Sequence, residues 1–507
     1  MSSHIIFVIS FCLAACIISL YTLVILSVFL FIILIKLKEG IFLKTQNTTL
    51  ITLTLGLGAL IGTLNITMFN VALPIMMTYF QTSLATVQWL TSGYMLAAGM
   101  IIPTAGFLGK RFGYKRLFCF ILFCVLLLSI LGAFAWCIEA LIVVRFFFGL
   151  TGGLLSPLSL AMLYQVMPAG QQAKAASTWG MANIMGGMLP ACLSGVILSI
   201  ANWKFLLLFN IPFALLTLLL SIKLLPKDTQ TEADKLDVPG LLFTSLGSLV
   251  LLVSFSNLSN WGLSVQLLVG VAIGFSFLFA YFITSRHKTN ALLNLRVLKY
   301  PRYVAALIAS GINVIAIYMI TFLMPLFLQS GLGVSPLMTG IIMLPASLFS
   351  IFAMPVATKL YPKMGERLLI VLGIVILLIG SAPFLIATPA TPVLFIALAM
   401  CVRSCGMGTI NLVSTNAQMS DIPPELSGYA SSLTNWLHQI LNAMTVGIAG
   451  NIADLRIQQF GTSNPDSLAL AYTSTTNLMM MASCLLLVAI IPIAMKFFRS
   501  KAEMRSV

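Results

Sequence analysis

Residues 106–116 read GFLGKRFGYKR, and this stretch lies between two long apolar runs at about 84–106 and 117–136. Four of its side chains are basic, whereas the flanking runs contain no charged residue. A helix needs about 20 mostly apolar residues to cross a bilayer, and each run is long enough. Basic residues collect in the cytoplasmic loops of membrane proteins. The stretch therefore predicts a tight cytoplasmic connection between two spanning helices, and an all-α integral membrane fold.

The composition of the whole chain agrees with this interpretation. Of its 507 residues, 60% are hydrophobic and only 8% are charged, whereas soluble domains carry roughly 25% charged residues. The net charge of +15 comes from basic clusters between apolar runs rather than from one basic face, so no nucleic-acid partner is expected. The nine cysteines form no CxxC pair and no Cys/His cluster with metal-ligand spacing, so we expect neither a metal site nor a cofactor.

Outward from the basic loop, the apolar runs predict about fifteen spans. They cover approximately residues 5–35, 50–75, 84–106, 117–136, 139–163, 178–200, 203–222, 238–257, 263–285, 303–329, 337–358, 367–387, 390–416, 428–450 and 470–495. If successive spans alternate in direction, one side of the membrane receives every Lys and Arg except Arg145, Lys204, Arg403 and Arg456. Since basic loops face the cytoplasm, the N-terminus should lie outside and the C-terminus inside.

Three positions recur at long range along the chain. The pairs are Pro74 with Pro325, Pro103 with Pro355, and Gly113 with Gly365. Their separations are 251, 252 and 252 residues, which indicates a duplicated six-helix unit with two helices inserted between the copies. Many transporters are built from such repeats and bind their substrate at the interface between them.

The repeat divides the chain into four predicted parts. Residues 1–45 form an extra transmembrane helix with a basic loop, and 46–225 form the first six-helix bundle. Residues 226–300 hold the two inserted helices and a cytoplasmic linker. Residues 301–507 form the second six-helix bundle and a short cytoplasmic tail.

Short motifs along the chain resemble those of one transporter family. They are the basic loop at 106–116, NVALP at 70–74, RFFFG at 145–149, NWKF at 202–205 with NIP at 210–212, and GLGVSP at 331–336 with LP at 344–345. Together they resemble the fourteen-helix drug:proton antiporter branch of the major facilitator superfamily, the EmrB/QacA-like exporters, over roughly residues 50–495.

The resemblance implies a secondary transporter that works by alternating access. Its implied activity is the export of drugs or other amphipathic small molecules, in exchange for protons, across the bacterial cytoplasmic (inner) membrane. The implied partners are the lipid bilayer, a small-molecule substrate and protons. The likeness to EmrB-like exporters also leaves room for a periplasmic adaptor and an outer-membrane channel.

The chain departs from the family pattern where proton coupling would be expected. Relatives usually carry an Asp in the first core helix, and that position is Asn65 here, which cannot titrate. In the fifth core helix, the Gly-Pro-x-x-Gly-Gly run of relatives is altered, and Gly187, Pro190 and Gly195 remain as its candidates. No Asp or Glu is placed securely in the middle of a predicted span, so the family mechanism does not transfer directly.

Polar residues inside the spans are the candidates for a substrate and coupling pathway. They are Asn65, Asn70, Arg145, Arg403, Asn411, His438 and Asn442. Charged groups at membrane depth are costly and usually functional. His438, about eleven residues into its span, is placed near the bilayer middle and titrates in the neutral range, which makes it a candidate proton carrier. The alternative for each residue is a structural hydrogen bond between helices.

The basic loop is a candidate gate. Its residues are Gly106, Lys110, Arg111, Gly113, Lys115 and Arg116. Basic side chains there could bond helix C-termini and acidic neighbours in one conformation only. The alternative is a plain topology signal, and both roles are compatible.

Three functions remain open from the sequence. The first is a proton-driven exporter of amphipathic compounds, and the second is an uncoupled or differently coupled facilitator of a metabolite, which Asn65 favours. The third is a membrane scaffold without transport activity. An enzyme is not expected, because no paired acid and base occur in a loop long enough to hold a site.

Overall fold

The computed structural model describes residues 48–168, 190–226, 237–257, 264–285, 293–460 and 465–499, together with residues 175, 178–180, 182, 185–187 and 228. Within these residues the chain is helical and contains no β-strand. The all-α prediction is therefore confirmed. The predicted extra helix at residues 1–45 lies outside the described residues.

Fourteen helices follow one another in the described chain when the longest is divided at Gly365. They are α1 (Thr48–Tyr79), α2 (Leu84–Phe112), α3 (Tyr114–Ala133), α4 (Ile138–Val166), α5 (Thr178–Gly187 and Pro190–Ile200), α6 (Lys204–Leu224), α7 (Val238–Ser256), α8 (Val265–Ser285), α9 (Pro301–Gly331), α10 (336–364), α11 (366–385), α12 (Val393–Ser420), α13 (Pro424–Phe460) and α14 (Pro465–Phe497). We call α1–α6 the N-bundle and α9–α14 the C-bundle.

Length and apolar character make most of these helices competent to cross a membrane. Among the described residues, eleven continuous helices are long and apolar enough, and the two parts of α5, bent by 50°, make a twelfth. One of the eleven is the 50-residue stretch Pro336–Leu385, which Gly365 breaks into α10 and α11. The remaining long helix, α13, carries more polar residues than the others.

Two glycines at matching places make the sharp turns of the fold. Gly113 joins α2 to α3 with φ of 87°, and Gly365 joins α10 to α11 with φ of 79°. This conformation favours glycine, because a Cβ atom strains it. The two turns lie on the same side of the molecule, which we call the basic side, and the other is the far side. The spacing of 252 residues thus joins structurally equivalent positions.

The paired prolines mark irregular helix geometry. The predicted span at 50–75 is shorter than α1: a 3₁₀ turn at Asn70–Ala72 precedes Pro74, and the helix continues to Tyr79. Pro74 has no backbone N–H to donate, and this costs no helical hydrogen bond because the residue lies near the start of the segment that ends at Tyr79. Its counterpart Pro325 lies inside α9 and is followed by a π-turn at Phe327–Gly331.

The two bundles meet through close contacts in their far-side halves. A Cβ atom on Gly195 of α5 would lie 2.6 Å from the Pro336 carbonyl oxygen of α10. Between α1 and α9, the Gln329 amide donates to the Val71 carbonyl over 2.8 Å. These contacts hold the bundles together on the far side of the central cavity.

Candidate functional site

A cavity of about 160 Å³ lies between the two bundles. It is bounded by α1 and α5 of the N-bundle and by α9, α10 and α12 of the C-bundle. Its polar lining includes Thr67, Asn70, Thr321, Ser347, Ser350 and Ser404, and its apolar lining includes Ile317, Ile320, Pro325, Met343, Met400 and Met407. None of these side chains is charged. A mixed lining of this kind can hold an amphipathic small molecule.

Asn70 both lines the cavity and joins the bundles. Its Oδ1 accepts a hydrogen bond of 2.9 Å from the Thr91 hydroxyl, and its Nδ2 donates to the Thr321 carbonyl over 3.4 Å. The structure thus brings this predicted residue to the candidate site.

Asn411 lies further along the same helix face as the cavity-lining part of α12. It follows Ser404 by seven residues and Met407 by four, which places all three on one side of the helix. Asn411 is exposed. It therefore lies between the cavity and the basic side, where a pathway in that direction would pass.

Asn65 sits in a different environment from the one its predicted pathway role requires. The amides of Asn65 and Asn210 donate to each other over 2.9 and 3.1 Å, and Asn65 also donates to the Ile61 carbonyl. The side chain is 1% exposed and does not line the cavity described above. The pair links α1 to α6 with neutral groups, so its observed role is helix packing.

Arg145 is fully enclosed within the N-bundle. Its Nε donates to the Leu90 carbonyl over 3.0 Å and its Nη2 to the Asn65 carbonyl over 2.9 Å. The guanidinium also faces the rings of Phe69 and Tyr94 at 4.3 and 4.5 Å. Arg145 therefore ties α4 to both α1 and α2 and does not reach the cavity lining.

Arg403 makes the matching arrangement in the C-bundle. Its Nη2 donates to the Ala316 carbonyl over 2.8 Å and its Nε to the Ser381 hydroxyl over 2.9 Å. Ala316 follows Asn65 by 251 residues, which is the spacing of the repeat. The two arginines thus bind equivalent backbone carbonyls in α1 and α9. The arginines themselves are 258 residues apart, so the repeat spacing alone does not relate them.

His438 belongs to a polar cluster in the C-bundle rather than to the cavity wall. Its Nε2 lies 3.0 Å from the Ser310 hydroxyl, which also accepts a hydrogen bond of 2.8 Å from Gln418. Ser310 is nine residues, or about 14 Å of rise, from the start of α9. His438 is fourteen residues, or about 21 Å of rise, from the start of α13 at Pro424, and its mid-membrane position stays a prediction.

Asn442 lies one turn beyond His438 on α13. It is buried, and its Oδ1 has no hydrogen-bond partner among the described residues. Asn313, one turn beyond Ser310 on the neighbouring α9, likewise has an unpaired Oδ1 in the described structure. The polar cluster thus extends from His438 away from the basic side, and it contains two amide oxygens that could each accept a further hydrogen bond.

The basic loop makes its predicted helix-end contacts mainly through one residue. The Lys115 ammonium donates to the carbonyls of Ile222 and Leu225, at the C-terminus of α6, over 2.8 and 2.6 Å. The backbone N–H groups of Lys115 and Arg116 donate to the Asp228 carboxylate over 2.8 and 3.1 Å. These contacts fasten the loop within the N-bundle.

The other predicted gate residues are more open. Gly106, Lys110, Arg111 and the Arg116 side chain are exposed. The Arg111 guanidinium lies 5.8 Å from the Phe107 ring and 5.9 Å from the Phe112 ring. Their role in gating remains a prediction.

A matching contact and a charge cluster occur on the basic side of the C-bundle. Arg367, which follows Lys115 by 252 residues, donates through Nε to the Phe498 carbonyl at the end of α14 over 3.2 Å. Nearby, Arg302 pairs with Glu366 and, over 2.9 Å, with Asp421. The sequence gives no local signal for these ion pairs, because the partners are 64 and 119 residues apart along the chain.

The candidates from the altered helix-five motif lie at three different places in α5. Gly187 lines the cavity, Pro190 begins the segment beyond the 50° bend, and Gly195 packs against the Pro336 carbonyl. In the described residues, no three His, Cys, Asp or Glu side chains come together as metal ligands.

Two six-helix bundles around a central polar and apolar cavity define a solute transporter architecture. The sequence model of the Major Facilitator Superfamily matches residues 55–446. The chain therefore belongs to this superfamily, and the resemblance seen in its motifs is confirmed.

The individual relatives have low sequence identity to the chain but align with most of its length. The chain is 26% identical over 445 residues to the uncharacterized MFS-type transporter YhcA of Bacillus subtilis, covering 86% of this chain and 84% of YhcA. It is 27% identical over 409 residues to the lincomycin resistance protein LmrB of the same organism, covering 79% and 85%. The crystal structure of a peptide transporter POT in complex with sulfate superposes with a TM-score of 0.64 at 16% identity, covering 90% and 96%. This last likeness shows a shared fold.

Proposed function

We propose that the protein exports amphipathic small molecules across the bacterial cytoplasmic membrane by alternating access. The observation that carries the proposal is the cavity between the bundles, lined by methionines and isoleucines together with serines, threonines and Asn70. The name of the relative LmrB, a lincomycin resistance protein, points to the same kind of activity.

In this proposal the basic side faces the cytoplasm. The basic residues of the α2–α3 and α10–α11 connections support this orientation. It places the C-terminus inside, and the far-side contacts at Gly195 and Gln329 then form the closed outer gate. A substrate would enter from the cytoplasm past Asn411.

His438 is the residue to which we assign proton coupling. It is bonded to Ser310 of α9, a helix that also lines the cavity, so protonation of its ring could alter the contact between α13 and α9. A second function, facilitated transport without protons, is favoured by the neutral Asn65–Asn210 pair at the position where relatives carry an acid.

Export is tested first in cells. A strain expressing the chain and a strain lacking it are grown with a panel of amphipathic compounds of negative, zero and positive charge. Export predicts lower accumulation of at least one class in the expressing strain. Equal accumulation of every compound would contradict the proposal and favour a scaffold without transport activity.

Coupling is tested in proteoliposomes with the compound found in that panel. Proton exchange predicts that an imposed pH gradient accelerates transport several-fold, and that His438→Gln, which keeps a hydrogen bond to Ser310 but cannot titrate, abolishes the acceleration. His438→Ala serves as the comparison that loses both properties. Transport that ignores the gradient in the unaltered protein would support the facilitator instead, and Asn65→Asp then asks whether an acid at that position creates gradient dependence.

A further inference from the structure

Two buried arginine side chains bond to helices that line the cavity. Arg403 directly precedes Ser404, a lining residue, and its guanidinium binds the carbonyl of Ala316, which directly precedes the lining residue Ile317. Arg145 binds the carbonyl of Asn65, two residues before the lining residue Thr67. Both guanidinium groups therefore bond to the backbone of cavity-lining helices, within two residues of a lining position.

No acid balances these two groups within the helices that form the cavity. The sequences of α1, α5, α9, α10 and α12, including the residues of α5 that the structure does not describe, contain no Asp or Glu. The contacts of Arg145 are carbonyl oxygens and aromatic rings. Those of Arg403 are a carbonyl, a hydroxyl and the Met407 sulfur. These dipoles stabilise the guanidinium groups but carry no net charge.

The electrostatic consequence reaches the cavity. In a poorly screened interior, the interaction of unit charges extends well beyond a hydrogen bond. Two positive charges without acids therefore raise the potential in the cavity. A cation placed there is disfavoured and an anion is favoured. The affinity for a neutral molecule depends only on its contacts with the apolar and hydroxyl groups of the lining.

We infer that the cavity accepts amphipathic molecules carrying no charge or one negative charge, and that it rejects cations. This inference rests on the proposed transport function and specifies its substrate class. Met343, Met400 and Met407 contact the apolar part of such a molecule, and Asn70 and Ser404 contact its polar part.

The test uses three ligands that share a naphthyl-butyl frame and end in a carboxylate, a primary amide or an amine. Their binding to the purified full chain in nanodiscs is followed by naphthyl fluorescence. The carboxylate and the amide should bind at least about tenfold more tightly than the amine, in line with a Coulomb interaction between partly buried charges.

A single variant inverts the prediction. Ser404→Asp places a carboxylate in the cavity wall and should strengthen binding of the amine by roughly tenfold while weakening that of the carboxylate. Asn416→Asp is the matched control. It adds the same charge at an exposed position of α12, twelve residues or about 18 Å nearer the basic side, so its binding profile should equal that of the unaltered protein. Thermal unfolding of both variants checks that each is folded.

The possible results separate the inference from the function beneath it. Amine binding equal to or tighter than carboxylate binding in the unaltered protein overturns the charge preference and leaves export of amphipaths intact. An unchanged amine-to-carboxylate ratio in folded Ser404→Asp overturns the assignment of the site to this cavity. Failure of all three ligands to bind contradicts the proposed function itself. Preference for the carboxylate and amide, inverted only by Ser404→Asp, supports the inference.

Discussion

Arg145 and Arg403 show how one residue type can hold a membrane bundle together without an ion pair. Each guanidinium donates to a backbone carbonyl of the first helix of its bundle, at Asn65 and Ala316 respectively. Each also donates to a second helix, to a backbone carbonyl of α2 in the N-bundle and to a serine hydroxyl of α11 in the C-bundle. Arginine suits this task because its donors point in several fixed directions.

We predict that Arg145→Met and Arg403→Met each destabilise the protein. Each substitution leaves two buried acceptors without their donors, at a cost of about 1–3 kcal/mol apiece, although methionine roughly fills the volume. Thermal unfolding in detergent should show lower Tm values for both variants, and Arg145→Lys should recover only part of the loss. Arg111→Met, on the exposed loop, is the control and should leave Tm nearly unchanged. A full recovery with lysine would contradict the role of the forked geometry.

At the scale of helices and turns, the two bundles fasten their basic sides in the same way. Lys115 and Arg367 are separated by the repeat spacing of 252 residues, and each contacts the end of the last helix of its bundle. Gly113 and Gly365, which both have a positive φ, direct the chain into these contacts. The turn therefore positions the fastening residue two positions later.

We predict that Gly113→Ala and Gly365→Ala destabilise this connection by about 1–2 kcal/mol, because both glycines adopt a conformation that a Cβ atom strains. At Gly113 the added Cβ atom would also clash with the Asp228 carboxylate. The measurement is the midpoint of thermal unfolding. Gly106→Ala in the same loop is the matched control, since its Cβ atom meets nothing within 4 Å, and it should be neutral or slightly stabilising. Equal effects at positions 106 and 113 would refute the conformational explanation.

The order of the helices could be predicted from sequence, whereas their rotation could not. Apolar length predicts where the chain crosses, and the placement of basic residues predicts on which side each loop falls. A spanning helix is apolar on every face, so its sequence does not reveal which face meets a neighbour. For this reason the sequence favours a pathway role for Asn65, which pairs with Asn210, and gives no indication that His438 contacts Ser310.

At the scale of the whole molecule, the far-side closure depends on close helix approach. Gly195 and Gly340 let α5 and α10 pack backbone to backbone, with a Cβ on Gly340 only 2.8 Å from the Ala191 carbonyl. Small residues permit such contact between helices in membranes. In an alternating-access transporter, a contact of this kind exists in one state and separates in the other. Its strength therefore sets the balance between the two states.

We predict that Gly195→Val shifts this balance toward the state open on the far side. Its Cβ atom would lie 2.6 Å from the Pro336 carbonyl oxygen, so α5 and α10 must move apart where they now touch. A destabilisation of the closed state by about 1.4 kcal/mol changes the ratio of the two states tenfold. A cysteine at Ser347, in the cavity wall, should then react roughly tenfold faster with an impermeant maleimide added on the far side.

The comparison variant for this prediction is Gly180→Val, on the same helix. A Cβ atom at Gly180 meets nothing within 4 Å, so the same substitution there should leave the labelling rate unchanged. Reaction of the protein without the Ser347→Cys change is subtracted, because native cysteines contribute a background. Equal labelling in the Gly195→Val and Gly180→Val proteins would show that closure does not depend on the contact between α5 and α10. Faster labelling in the first alone would place the outer gate at Gly195, because only there does the added side chain meet the opposing helix.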